Sequence, residues 1–460
     1  MSDWTGRNVL VLGAARQGLA LARFLCRRGA QVTLNDRRSP DQLQSAREGL
    51  AEYPIRWALG DHDLRWLDGI DLVCISGGVP LTLPIVEEAQ KRQIPLSNDS
   101  QIFLDGVPAQ VIGITGSAGK TTTVSLMGEM ARQHAAADQK VWVGGNIGLP
   151  LVDMVDEINP NDIVVLELSS FQLELMTRSP HIAAVLNITP NHLDRHVTLQ
   201  AYSAAKARII DFQTENDIAV LGHEDPGSWA LAPHVPGKLI SFGLQLPAQN
   251  QAGAYILHDR LCFSDGKNEQ EIMPVDTIRL RGVHNQLNVL AACAVASAAG
   301  FSTAAMNRAV AGFNGVAHRL EWVRTLNGVK WYNDSIATAP ERTAAAIHSF
   351  TEPLVLLLGG RDKNLPWEDL AVLIHQRVDH VVVFGEAAEK IIAAIGSTQA
   401  GERPYSLTRC QGLQEATLAA ARAAQPGDVV LLSPGGTSYD EFIDFEERGK
   451  RFSEWVHQLS

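Results

Sequence analysis

The chain has no excess of basic residues: across 460 residues, 39 lysines and arginines stand against 51 aspartates and glutamates, a net charge of −12 at pH 7. Without a cationic stripe to follow a sugar-phosphate backbone, nucleic acid is not an expected partner. Small anionic ligands must then be held by local donors. Cysteine is scarce as well. Its five copies, Cys26, Cys74, Cys262, Cys293 and Cys410, are scattered and never spaced as Cys-x-x-Cys. That argues against a disulfide framework and a zinc site, and leaves buried reduced thiols. No apolar run reaches the ~20 residues of a bilayer span, and the opening MSDWTGRNVLVLG lacks a signal-peptide cleavage pattern. The expectation is a cytoplasmic protein with no membrane segment, and neither a tandem repeat nor a low-complexity tract is present.

What is present is α/β alternation in three series, and at ~150 residues per domain the length also points to about three domains. Between Asn8 and about Phe103, NVLVLGA, QVTLND and DLVCISGG alternate with helix-like stretches, the pattern of a parallel sheet in a Rossmann-like unit. A second series runs through AQVIGIT, KVWVGGN, DIVVLELSS, IAAVLNIT and DIAVLGH. Near GAYILHDRLCFSDG the rhythm shortens around a Ser-Asp-Gly turn, predicting a small antiparallel excursion, followed by a long alanine-rich helix over 283–299. A third Rossmann-like series carries PLVLLLGG, HVVVFG and DVVLLSPGG. The fold class is therefore α/β with three domains in series: residues 1–103, a central nucleotide-type domain at 104–316 with the small antiparallel sheet, and 317–460.

The central series opens on VIGITGSAGKTTT, read as strand, glycine-rich loop and helix. The strict phosphate-loop pattern needs a glycine where Ile114 stands, yet the mechanics survive. Gly116 and Gly119 let backbone N–H groups turn inward, Lys120 reaches the β/γ-phosphates, and Thr121 offers its hydroxyl to Mg²⁺ at a helix N-terminus. Such a loop needs a carboxylate at the end of a neighbouring buried strand, and Glu167 follows four apolar residues in DIVVLE. His192 and His196 in NHLDRH have the H-x₃-H spacing of a zinc pair, but two histidines alone are read as structural. The early GAARQG keeps Gly13 and Gly18 but has Ala15 where a dinucleotide fingerprint needs its middle glycine. It suits a nucleotide other than NAD, with Asp36 ending the second strand.

GITGSAGKTTT, LELSSFQL, NHLDRH, YSAAKARI, GVHNQLNVLAA, HRLEWV, NDSIATAPERT and LSPGGTSYDEF together resemble the Mur ligase family, most closely its glutamate-adding members, and cover all three series. The resemblance implies that the first domain holds the UDP of the substrate, the central one ATP, and the third the amino acid. It places ATP on Gly116, Ser117, Ala118, Gly119, Lys120, Thr121, Thr122 and Thr123, with Asn285, Asn288, Arg319 and Asp334. It assigns two Mg²⁺ ions to Thr121, Glu167, His192 and Lys206, the last carbamylated by CO₂, and makes Lys120, His192 and Lys206 catalytic. UDP-N-acetylmuramoyl-L-alanine falls to Arg16, Gln17, Asp36, Arg38, Ser76, Gly77, Asn146, Ser169 and Gln172, and glutamate to Thr338, Lys363, Ser438 and Phe445.

The implied activity is amide synthesis through an acyl phosphate in peptidoglycan synthesis, by a monomer acting on small molecules. D-glutamate is favoured. An L-glutamate enzyme is the alternative, because Ile336 stands where D-glutamate-adding enzymes carry a lysine. The reading from another class is an NAD-dependent oxidoreductase built on GAARQG, which leaves the loop at Lys120 unexplained.

Overall fold

The computed structural model describes residues 3–191, 193–363, 365–397 and 401–460. The chain divides into two compact units. One comprises the residues up to Arg279 together with Val283–Phe313, and the other comprises Leu280–Gly282 with Asn314–Ser460.

The first unit contains two sheets. The first sheet is built from β1 (Asn8–Leu12), β2 (Gln31–Asp36), β3 (Arg56–Leu59), β4 (Leu72–Ile75) and β5 (Leu96–Ser97), all parallel, in the order β3-β2-β1-β4-β5. Val9, Leu10, Val11 and Leu12 are wholly buried, as expected for a central parallel strand covered on both faces. The strand order reverses beside β1, so the crevice above the carboxyl ends of β1 and β4 is the ligand position of this topology.

The second sheet comprises β6 (Val111–Thr115), β7 (Val141–Gly145), β8 (Ile163–Glu167), β9 (Ile182–Val185), β10 (Ile218–Gly222), β11 (Lys238–Phe242), β12 (Ala252–Leu257), β13 (Arg260–Ser264) and β14 (Glu269–Pro274). Its order is β14-β13-β12-β11-β10-β9-β6-β8-β7, with β12, β13 and β14 antiparallel to one another. The expected antiparallel excursion is present, but as two hairpins. Ser264-Asp265-Gly266 belongs to the second turn, while the first uses His258 and Asp259 at φ 47° and 57°, the left-handed pair that a two-residue hairpin turn requires.

One apolar cluster joins the two sheets, running from Val9 and Val11 through Ile102 and Phe103 to Leu151, Val164 and Leu166. Charge reinforces it: Arg23 and Arg27, on the helix Arg16–Arg27, reach the two oxygens of Asp153 at 2.8 and 2.7 Å. The helix Val283–Ala298 is buried without interruption from Asn288 to Ala296, which is why that stretch is apolar on every face from Val289 onward. Among the described residues no helix is long and apolar enough to cross a membrane.

The second unit is built on β15 (Glu321–Leu326), β16 (Val329–Asn333), β17 (Leu354–Gly359), β18 (His380–Phe384), β19 (Ser406–Arg409) and β20 (Val429–Gly435), in the order β15-β16-β20-β17-β18-β19. Only the β15–β16 pair is antiparallel. β20 lies between β16 and β17, and Leu432 on it is wholly buried. Leu432→Ala should cost about 2–5 kcal/mol of the second unit's stability. Denaturant unfolding of the full chain checks this; a loss below ~1 kcal/mol would contradict the central position of β20.

Candidate active site

The loop after β6 and the acid ending β8 lie at neighbouring strand ends, β6 and β8 being paired through Ile114 and Glu167. Gly119 has φ 83°, and a Cβ built on it would lie 2.2 Å from Asn288 Oδ1. The left-handed backbone favours glycine there, and any added Cβ would push Asn288 aside. The helix Lys120–His134 starts at Gly119 with no side-chain cap, leaving first-turn N–H groups for an anion.

A residue not anticipated from sequence, Asn187, straps the loop. Its carbonyl accepts from Ser117 N at 2.9 Å, its Oδ1 from Ala118 N at 2.8 Å, and its Nδ2 donates to Ala118 O at 3.1 Å. Its position two residues beyond β9 was the available signal.

Glu167 is 1% exposed. Thr121 Oγ1 donates to its Oε2 at 2.9 Å, and Asn146 Nδ2 to its Oε1 at 2.9 Å. Asn146, expected beside the substrate sugar, thus also holds the carboxylate. Gly145 has φ 99°, and a Cβ there would come within 2.3 Å of the Glu167 carbonyl. Asn285 Oδ1 accepts from Asn288 Nδ2 at 3.0 Å, so both helix asparagines sit together behind Gly119.

Two amines converge on one carbonyl. Lys120 Nζ and Lys206 Nζ each donate to Gly116 O at 2.8 Å, and Lys206 also reaches Thr115 Oγ1 at 3.2 Å. Lys206 is 1% exposed. Burial first, and the neighbouring Lys120 cation second, push its amine down to about 6, so it is largely neutral at pH 7. His192 lies outside the described residues. His196 is buried with Nδ1 3.0 Å from Glu174 Oε1 and Nε2 2.9 Å from Ser170 Oγ, as a structural histidine should be. Among the described residues, no three or more His, Cys, Asp or Glu side chains group to hold a metal.

At the other switch point, Ala14 N donates to Asp36 Oδ2 at 2.7 Å, and Arg38 binds both Asp36 oxygens at 3.0 and 2.8 Å. Burial would raise the Asp36 carboxyl, but these donors outweigh it and hold it well below the usual range. Ser76 Oγ donates to Gly13 O at 3.1 Å. Gln17 Nε2 and Arg16 Nη2 reach the carbonyls of Gly145 and Asn146 at 3.3 and 3.4 Å, so this crevice abuts the loop beside Glu167. Ser169 and Gln172 form a capping box, with Gln172 Nε2 also on Ser100 Oγ at 2.8 Å.

In the second unit Lys363 Nζ donates to Thr338 Oγ1 at 3.2 Å. Arg448, another residue missed from sequence, is wholly buried and ties the loops bearing Thr338 and Ser438 together. Its Nη2 donates to Ser335 O at 2.8 Å and its Nη1 to Gly436 O at 3.1 Å. Ser335 Oγ in turn donates to Phe445 O at 2.8 Å. Asp334 accepts from Leu320 N and Ser433 Oγ at 3.2 and 2.8 Å. Burial nevertheless lifts its carboxyl to about 7, with Arg319 and Arg342 among the opposing influences.

Three family models match in order: "Mur ligase MurD-like, N-terminal domain" over residues 7–98, "Mur ligase middle domain" over 114–296, and "Mur ligase, glutamate ligase domain" over 318–436. The chain is 42% identical to the UDP-N-acetylmuramoylalanine–D-glutamate ligase of Symbiobacterium thermophilum over 98% of each. It is 40% identical to that of Koribacter versatilis, over 100% of this chain and 99% of the relative. MurF of Acinetobacter baumannii shares the fold at TM-score 0.58 and 17% identity, covering 97% and 93% of the two chains. MurC of Thermotoga maritima does so at 0.54 and 20%, covering 98% and 99%. The chain belongs to the Mur ligase family, with its three domains in series.

A carboxyl raised from its unfolded value of 3.8 favours folding while protonated, and that contribution is lost as pH rises through its folded value. Asp334→Asn removes the effect, so the variant should gain stability relative to the native chain between about pH 4 and 7, with the difference level above. Denaturant unfolding at stepped pH tests this. A difference that does not change with pH would show that Asp334 is ionised in the fold at no cost.

Proposed function

We propose that the chain is an ATP-dependent ligase that joins D-glutamate to UDP-N-acetylmuramoyl-L-alanine in peptidoglycan synthesis. The observation that carries this reading is the abutment of two nucleotide-type crevices in one unit, one ending at Glu167 and the phosphate loop, the other at Asp36 and Ser76. End-to-end identity to ligases of that name supports it. The two relatives at 40% identity or more that are quoted above name D-glutamate, so the L-specific reading of Ile336 is not favoured, nor is an oxidoreductase.

The residues fit a magnesium nucleotide. The Thr121 hydroxyl and Glu167 carboxylate are hard oxygen donors already converged at the helix N-terminus, a set that suits Mg²⁺ bound alongside substrate phosphates. When bound, the metal supplies charge neutralisation on the phosphate oxygens. His192 and a carbamylated Lys206 are proposed for a second ion.

The neutral, buried Lys206 amine is the form that attacks CO₂. The nitrogen bonds to carbon, one C=O electron pair moves to oxygen, and the nitrogen's proton leaves to solvent. The product would place an anion, where a neutral amine stood, beside the Lys120 cation.

The work of the chain is then positioning and charge stabilisation. The alanine carboxylate oxygen attacks the γ-phosphorus of ATP and ADP departs. Lys120 and the loop N–H groups stabilise the charge on the transferred phosphoryl group. The glutamate amine attacks the acyl carbon, phosphate leaves, and the nitrogen gives up a proton. Lys363, with Thr338 and Ser438, is proposed to hold the carboxylates of glutamate.

Incubation with Mg-ATP, UDP-N-acetylmuramoyl-L-alanine and either glutamate enantiomer should release phosphate, with a product one glutamate residue heavier, for the D form alone. Turnover with L-glutamate alone, or with neither, would contradict the reading. In the same assay Lys206→Ala should lose at least ~10²-fold in kcat. An unchanged rate in CO₂-depleted buffer would contradict the carbamate role.

A further inference from the structure

Arg195 follows the loops of both nucleotide crevices in sequence, in a one-turn helix Leu193–His196, and its side chain faces the loop that follows β4. Nη1 donates to Gly77 O and Nη2 to Val79 O, each at 2.7 Å. That loop, SGGVP, holds two glycines in succession and is conformationally permissive without an external anchor. A planar guanidinium meeting two carbonyls fixes it in one conformation.

The same guanidinium lies 4.0 Å from the centre of the Phe171 ring. Phe171 stacks nearly parallel on His196, centroids 5.4 Å apart, and His196 meets the edge of Tyr202 at 5.1 Å. The Tyr202 hydroxyl donates to Ser117 Oγ at 3.0 Å, inside the phosphate loop. Ser117 Oγ also donates to Thr189 O and accepts from Thr189 N, both at 2.9 Å, so the hydroxyl has a full set of partners and little room to shift. A continuous series of packed and hydrogen-bonded groups therefore runs from the carbonyls at 77 and 79 to the loop proposed for ATP.

We infer that Arg195 is a positioning residue that couples the two crevices, so that UDP-N-acetylmuramoyl-L-alanine and the magnesium nucleotide each tighten the binding of the other. The inference rests on the proposed assignment of the UDP substrate to Ser76 and Gly77 and of ATP to the 116–123 loop. The guanidinium ties the 76–80 loop and the ring stack behind Ser117 into one connected unit, so a ligand that restrains either end lowers the ordering cost of binding at the other. Coupling of this kind is reciprocal by thermodynamic necessity.

The test is calorimetric titration of the full chain with magnesium and a non-hydrolysable ATP analogue, with and without saturating UDP-N-acetylmuramoyl-L-alanine, and the converse. The native chain should show a coupling factor of about 5-fold or more, equal in both directions. In Arg195→Ala the factor should fall to within ~2-fold of unity. Arg195→Lys should also lose most of it, because an ammonium lacks the planar fork that meets both carbonyls while lying over the Phe171 ring. Phe171→Leu should lose it with Arg195 intact. These two variants carry the test if the alanine variant melts early.

A native coupling factor retained in Arg195→Ala, or absent from the native chain while both ligands bind, overturns the inference. A native chain that binds neither ligand instead overturns the functional reading beneath it.

Discussion

The arrangement depends on how the Glu167 carboxylate is held. An acid buried at the end of a parallel strand is costly unless its oxygens are met, and here one oxygen takes the Thr121 hydroxyl and the other the Asn146 amide. Those two donors come from opposite sides. Thr121 belongs to the helix that begins at the phosphate loop, and Asn146 to the turn after β7 on which Arg16 and Gln17 of the first sheet rest. The carboxylate therefore fixes the phosphate loop relative to the neighbouring crevice. Gly145 allows it, since its backbone runs too close to the Glu167 carbonyl for any side chain.

Lys206 shows the opposite economy. Its amine is buried against a carbonyl that already serves Lys120, and burial together with the Lys120 cation outweighs the favourable influence of Glu167 on a positive charge there. Carbamylation by CO₂, as proposed for Lys206, would use the neutral amine and place a negative charge beside the Lys120 cation.

The central parallel strands were legible because burial on both faces writes them as unbroken apolar runs: NVLVL, IVVLE, LVLLLG. Edge and short strands were not. Arg56–Leu59, Ser406–Arg409 and Glu321–Leu326 alternate or mix polarity and lie at sheet margins, where one face or one edge meets water and no run forms. The site split in the same way. Residues within one motif, such as Gly119, Lys120 and Thr121, declare themselves through local mechanics. Asn187, Arg195 and Tyr202 stand inside quoted segments, but their partners on distant loops come from the topology, as do those of Arg448, and their immediate sequence does not name them. Ile336 kept an L-glutamate alternative open beside the favoured D-glutamate reading, and the relatives' names do not favour that alternative.

The most direct measurement is the magnesium dependence of ATP-analogue binding in the native chain and in Glu167→Gln, at fixed pH and ionic strength. If the carboxylate is the protein's metal-holding group at the phosphate loop, magnesium tightens the analogue in the native chain. The glutamine variant then loses that gain while its magnesium-free affinity stays the same. An undiminished magnesium effect in Glu167→Gln would contradict the account, leaving Glu167 as no more than a partner of Thr121 and Asn146.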